Sequence, residues 1–262
     1  MTRAPLAVAL TLTLAGSGAT SPLAAQMLET ETARPLGRGV FEVSGNFEYQ
    51  TSSEGREAAV PFAAEYGVTD RLEILVEPVA WTAIRPNAGT RATGVGDLEA
   101  TLTWLARAET PQVPAIALAS EVKFPTAHNT LIGTGKTDVA GYLIGSKRWG
   151  RLDTHANVSY TVVGRPAGAD LKNIFGFALG AEWNWNRSNQ LFGEILANTA
   201  AAAAAEPAPG TVVTAPEAPG GEVSATFGVA HRFLPSLRGF IGVSADNNGA
   251  VLFRPGITMR VH

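Results

Sequence analysis

The chain has 262 residues, no cysteine and a formal net charge of −3. The lack of cysteine excludes a disulfide framework, thiol chemistry and any Cys-based metal site, and so small a charge argues against a nucleic-acid partner. Glycine is frequent at 28 residues and only 16% of residues are charged, a balance too polar for a helical membrane protein but suited to strands with alternating lipid-facing and lumen-facing residues.

Residues 1–25 read as a secretory signal. Arg3 supplies the positive start, Pro5 to Ala15 the apolar core, and Gly16, Ser17, Gly18 and Ser21 lead to cleavage after Ala25. The apolar run of about 11 residues falls short of the roughly 20 that a helical anchor needs. No later stretch is apolar and long enough to span as a helix, so an exported membrane protein with this sequence is expected to cross as a barrel. Residues 26–38 are polar, without periodicity and too short for a plug domain. They are expected to form a short periplasmic segment before a barrel over 39–262.

Gly39 to Gln50 is the template strand. Phe41, Val43, Gly45, Phe47 and Tyr49 share one parity, and Glu42, Ser44, Asn46, Glu48 and Gln50 the other. Side chains alternate across a strand, and the length matches the about 9–11 residues of a tilted membrane strand rather than the about five or six of a globular one. Variations on it follow at 56–69, 72–81, 94–105, 113–124, 137–149, 152–162, 174–184, 190–198, 222–233, 237–246 and 250–261. Connections after odd-numbered strands tend to be long (82–93, 125–136, 163–173 and the Ala/Pro-rich 199–221). Those after even-numbered strands are tight turns (69–71, 149–151, 186–189, 234–236). Long outside and short inside predicts an all-β, antiparallel, up-and-down transmembrane β-barrel of about twelve strands, with short periplasmic turns and long extracellular loops.

Aromatic residues support the same picture. Trp104, Trp149, Trp183, Trp185 and Phe233 fall near the short turns, and Tyr49, Phe124 and Phe253 near the long loops, as two interfacial girdles require. Trp81 breaks the pattern because it shares its parity with Glu73; a bulge at Pro78 would repair this.

The polar parities then give the lumen. The early strands supply Glu42, Glu48, Glu65, Glu73, Glu77, Asp97, Glu99, Glu121 and Lys123. Asp153, His155 and Asn157 follow on one face, then Glu182 and Glu194, and the last strands bring Arg232, Arg254 and Arg260. A barrel leaves no edge, so the last strand must pair with the first. Counting from the rim sets Glu42 level with Arg260 and Glu48 level with Arg254, which predicts a carboxylate–guanidinium ladder at the closing seam. Twelve strands with long side chains on both walls predict a narrow lumen.

Chemical motifs are weak. Asp153, His155 and Asn157 lack a second histidine for a metal, and Ser159 is four positions from His155, about 13 Å along a strand. Gly94-Val95-Gly96-Asp97 and Gly133-Thr134-Gly135-Lys136 lack the full phosphate-loop spacing and lead into strands. No catalytic, cofactor or metal site is expected.

VPFAAEYGVTDRLE (60–73), GVGDLEATLTW (94–104), VKFPT (122–126), GTGKTD (133–138), SKRW (146–149) and HANVSYT (155–161) resemble, in order and over roughly 40–262, the family named for the MetA pathway of phenol degradation. The resemblance implies an outer-membrane transporter linked to uptake of aromatic or other hydrophobic compounds, with no catalytic residues to carry over. The chain departs from outer-membrane practice at its end. It closes on Met259-Arg260-Val261-His262 rather than on the aromatic residue that the barrel assembly machinery reads in many such proteins, and the 199–220 stretch looks peculiar to this chain. The expected protein is therefore an outer-membrane channel of a Gram-negative cell, with membrane lipid, a small solute and the assembly machinery as partners. Its rivals are an outer-membrane lipid-modifying enzyme with His155 as base, a structural barrel, and a soluble secreted β-protein.

Overall fold

The computed structural model describes residues 29–199 and 221–261. The expected signal segment, its cleavage point and most of the Ala/Pro-rich connection lie outside the described residues. Fourteen strand segments form one antiparallel sheet: β1 (Phe41–Asn46), β2 (Glu48–Thr51), β3 (Gly55–Thr69), β4 (Leu72–Pro86), β5 (Ala92–Gly94), β6 (Leu98–Arg107), β7 (Ala115–Phe124), β8 (Asp138–Trp149), β9 (Leu152–Val162), β10 (Ile174–Asn184), β11 (Asn189–Asn198), β12 (Glu222–Leu234), β13 (Leu237–Asp246) and β14 (Val251–Val261). β1 and β2 both pair with β3, β5 and β6 both pair with β4, the other segments pair with their neighbours in sequence, and β14 closes on β1 and β2, giving a twelve-strand barrel in which β1/β2 and β5/β6 are interrupted strands. No helix among the described residues is long and apolar enough to cross a membrane.

Each interruption has a local cause. Phe47, between β1 and β2, donates its N–H to Pro255 O at 3.0 Å. Proline has no N–H to return the bond, so the ladder breaks for one residue. On β4, Val60 faces Trp81 while Pro61 faces Val79, so one extra residue bulges out between Val79 and Trp81. This bulge returns Trp81 to the exposed face, at 41% exposure, beside a buried Thr82. It lies just past Pro78, where the parity failure of Trp81 pointed. Beyond it β4 runs on to Pro86, paired with β3 and β5. The polar loop expected over 82–93 is therefore strand at both of its ends, held by this extra ladder.

The two faces differ as the alternation requires. Leu102, Leu143, Phe177, Leu179, Phe227 and Ile257 are exposed on the outer face. Trp104, Trp149, Trp183, Trp185 and Phe233 are exposed near the short turns, and Tyr49, Phe124, Tyr160 and Phe253 near the long connections. Inside, two small apolar clusters sit among polar groups. In one, the rings of Phe192 and Phe240 meet edge to face at 6.4 Å beside Ala230. In the other, Ala115, Ala117, Ala119 and Ile144 surround Ala33, a residue of the amino-terminal segment.

That segment departs from expectation. Residues 29–36 do not hang free below the barrel; they run inside it, with Ala33 fully buried and Leu36 nearly so. A plug domain is indeed too large for so short a stretch, but a single extended strand of peptide is not.

Phe192 fits because Gly228 and Gly242 on the adjoining strands carry no side chain. A Cβ at Gly228 would collide with the Phe192 ring and the Ile241 carbonyl, whereas one at Gly141 would meet open space. Gly228→Ala is expected to cost about 1–3 kcal/mol by overpacking and Gly141→Ala to be close to neutral. Urea titration of the heat-modifiable gel band reads both; equal midpoints for the two variants would contradict the packing.

Candidate functional site

The amino-terminal segment enters the lumen through a turn built on glycine. Gly39 has φ of 78°, in the region that favours glycine, and Val40 N–H donates to Gly37 O at 3.0 Å. Gly39 N–H donates to Gly67 O, and Gly67 N–H to Val40 O, which ties the turn to β3. A side chain at Gly67 would strike the backbone carbonyls of Leu36 and Gly37, so the close approach depends on that glycine.

From the turn the segment climbs the lumen wall, bonded to residues of β4, β8, β9, β11 and β14. Leu36 N–H donates to Glu73 Oε2 at 2.5 Å. The Arg34 guanidinium grips Asp153 with two bonds, of 3.0 and 2.7 Å, and donates through Nε to Glu109 at 2.9 Å. Ala33 N–H donates to Ser146 Oγ, itself 2.8 Å from His155 Nδ1. The Asn157 carboxamide, oriented to satisfy both groups, accepts from Glu31 N–H and donates to Glu31 O. Thr30 donates through N–H and Oγ1 to Glu194 Oε2 at 2.9 and 2.8 Å. Glu29 ends the run, 2.7 Å from Arg254. In the short-turn rim, burial raises Glu109, but the Arg148 N–H and the Arg34 guanidinium outweigh it and hold the carboxyl below its usual range.

Glu42 faces Arg260 in the ladder, with Arg260 Nε 2.7 Å from Glu42 Oε2. Arg254 Nε is 2.8 Å from Glu48 Oε1, so the seam pairs form as counted. Glu65, Glu73, Glu182 and Glu194 are buried on the inner wall, and Glu77 and Glu99 half-buried. Gln190 donates to Glu182 at 2.6 Å and Tyr142 to Glu121 at 2.9 Å. Asp97 and Lys123 work at the rim: Asp97 accepts from Ala127 N–H, and Lys123 lies 2.5 Å from Asp138 and 3.8 Å from Asp97. They knit the 125–137 connection to the barrel. Arg232 stands with Arg238 beside the short turns.

Several residues escaped the sequence reading. Ser146, not Ser159, meets His155. The two-residue turn Gly150-Arg151 could have revealed it, since Trp149 facing Leu152 sets Ser146 against His155. Both side chains are buried beneath the amino-terminal segment, far from the outer rim where a lipid would approach. Arg34 and Glu29 carry no periodic signal at all. Above Glu29, toward the long connections, lies a cavity of about 350 Å³ with Arg254 at its base.

No protein-family model matches the chain, and no curated protein sequence matches it. Solved structures do. An outer-membrane channel from Pseudomonas putida F1 superposes with a TM-score of 0.64 at 13% identity, over 89% of this chain and 100% of that one. The NanC porin gives 0.59 at 11% identity, over 83% and 98%. The KdgM porin in complex with disordered oligogalacturonate gives 0.55 at 8% identity, over 84% and 99%. Likeness at this level establishes the fold: the chain is an outer-membrane type of β-barrel.

Glu42 is 1% exposed, so removing its partner strands a buried charge. Arg260→Ala is expected to destabilise the barrel by about 3–5 kcal/mol, and replacing both Glu42 and Arg260 by Met to recover most of that. Urea midpoints decide it: a wild-type midpoint for Arg260→Ala would mean that the seam charges are solvated.

Proposed function

We propose that the protein is a passive outer-membrane channel for small solutes, exported by cleavage of its signal segment, and that its own amino-terminal segment holds the closed state. The observation that carries this reading is the path through the barrel. A cavity of about 350 Å³ leads down from the long-connection side and ends on residues 29–36, which are attached to the wall only by non-covalent contacts. Charged and polar groups line a narrow passage, the construction by which channels select what they pass.

The porin-like fold supports the reading, as does the resemblance to the family named for the MetA pathway of phenol degradation. That resemblance suggests aromatic or hydrophobic solutes. So does the strip of Ala115, Ala117, Ala119 and Ile144 that seats Ala33, since displacing the segment would uncover an apolar track among the polar groups of the lumen. A lipid-modifying activity has less support, because the Ser146–His155 contact is covered by the amino-terminal segment.

Locking the segment tests this. The chain has no cysteine, so Ala33→Cys with Ser146→Cys introduces a single pair. In planar bilayers the reduced variant should conduct like wild type and the oxidised one should close, reopening with reductant. Equal conductance in both states would remove the segment as a gate. No conductance or solute flux from wild type would remove the channel.

A further inference from the structure

The outer cavity carries an excess of one charge. Glu29, Glu48, Glu57, Glu222 and Asp246 face it, and among the described residues Arg254 is the only basic one in its wall and the remaining lining residues are uncharged. Arg254 is already engaged by two of the carboxylates, Glu29 at 2.7 Å and Glu48 at 2.8 Å. Among the described residues Glu57, Glu222 and Asp246 belong to no ion pair. Asp246 uses one oxygen, Oδ1, to cap the turn through the N–H groups of Asn248 and Ala250.

Geometry makes this surplus effective. The three residues come from different strands, β3, β12 and β13, and meet around one space. A cavity of about 350 Å³ is narrower than the screening length of about 10 Å at 0.1 M salt. A solute inside it therefore feels all three carboxylates together, and low-dielectric walls lined by one sign of charge focus that field. The fixed positive charge that would draw in an anion is spent on Glu29 and Glu48.

We infer that this cavity is the charge filter of the channel, admitting neutral and cationic solutes and turning away anionic ones, with Glu57, Glu222 and Asp246 as the residues that set the preference. The inference rests on the channel reading and narrows it: aromatic or aliphatic carboxylates are excluded, while alcohols, phenols in their neutral form and amines pass. Rings of acidic side chains select cations in this way in other pores.

Reversal potentials under a KCl gradient test the filter, with swelling of liposomes in glucosamine, glucose and glucuronate as probes of similar size. Wild type should prefer potassium over chloride by about fivefold or more, and admit glucosamine and glucose ahead of glucuronate. Glu57→Gln, Glu222→Gln and Asp246→Asn together should bring the ratio close to unity and let glucuronate through. Asparagine keeps the Oδ1 acceptor of the turn, and heat-modifiable mobility checks the fold. Glu222→Lys alone should lower the preference partway, so the assignment does not hang on the triple variant. A conducting wild type that prefers chloride, or a folded triple variant with unchanged preference, overturns the filter and leaves the channel standing. A wild type that passes neither ions nor sugars overturns the channel and the filter with it.

Discussion

A chain that crosses a bilayer as strands has to satisfy every backbone N–H and C=O within the protein. The pairing of β14 with β1 and β2 meets that demand by closing the sheet, and the rest of the structure follows from it. Closure sends one parity of every strand outward, where it must be apolar, and the other inward. The inward parity of this chain is rich in carboxylates, and closure forces them together. Glu42 and Glu48 are answered across the seam by Arg260 and Arg254. Glu73 and Glu194 have no arginine directly opposite on a neighbouring strand, and Asp153, which has Arg148 across the ladder at 2.7 Å, still has its second oxygen to satisfy.

The amino-terminal segment supplies what is missing. Leu36 N–H goes to Glu73, the Arg34 guanidinium to Asp153, and Thr30 N–H and hydroxyl to Glu194. A peptide in extended form carries a backbone donor at every residue but proline, here Pro35, so a stretch with no hydrophobic periodicity can still be a good partner for a wall of carboxylates. What looks like an unstructured leader when read alone is a row of hydrogen-bond donors when placed inside this barrel. Ala33 seats against the alanine strip of β7 and Ile144 of β8, a close fit that the small alanine side chains allow.

This division explains what was legible beforehand. The barrel was legible because alternation, loop asymmetry and closure are periodic or arithmetical: Glu42 opposite Arg260 needed only counting from a shared rim, and the wrong parity of Trp81 correctly signalled a bulge. The contacts of residues 29–36 were not, because each is a single encounter between a non-repeating segment and a distant strand, at sequence separations such as 164 between Thr30 and Glu194. Ser146 lay between these extremes. Its pairing with His155 follows from a two-residue turn, but along the sequence Ser159 is the nearer serine, and nearness in sequence misleads on a strand. The extension of β4 was missed because 82–86 (Thr-Ala-Ile-Arg-Pro) has no clean alternation and ends on a proline, and only the partner strand β3, which runs equally far, shows why it stays in the sheet.

The energetics of the segment favour a seat that can be left. Ordering about ten residues costs roughly 1–2 kcal/mol each, or about 10–20 kcal/mol. Seven hydrogen bonds to charged groups at roughly 1.5–3 kcal/mol each return about 10–21 kcal/mol. The two sums nearly cancel, whereas the barrel wall, with its continuous ladders, has no such balance. The wall is therefore the fixed part and the segment the exchangeable one. That is the arrangement a passive channel needs if it is to stay closed to bulk flow and still open without an energy source. The same carboxylates that hold the segment would be left facing the lumen if it left, so under the proposed channel reading the charge that seats the segment would also shape what the open lumen carries.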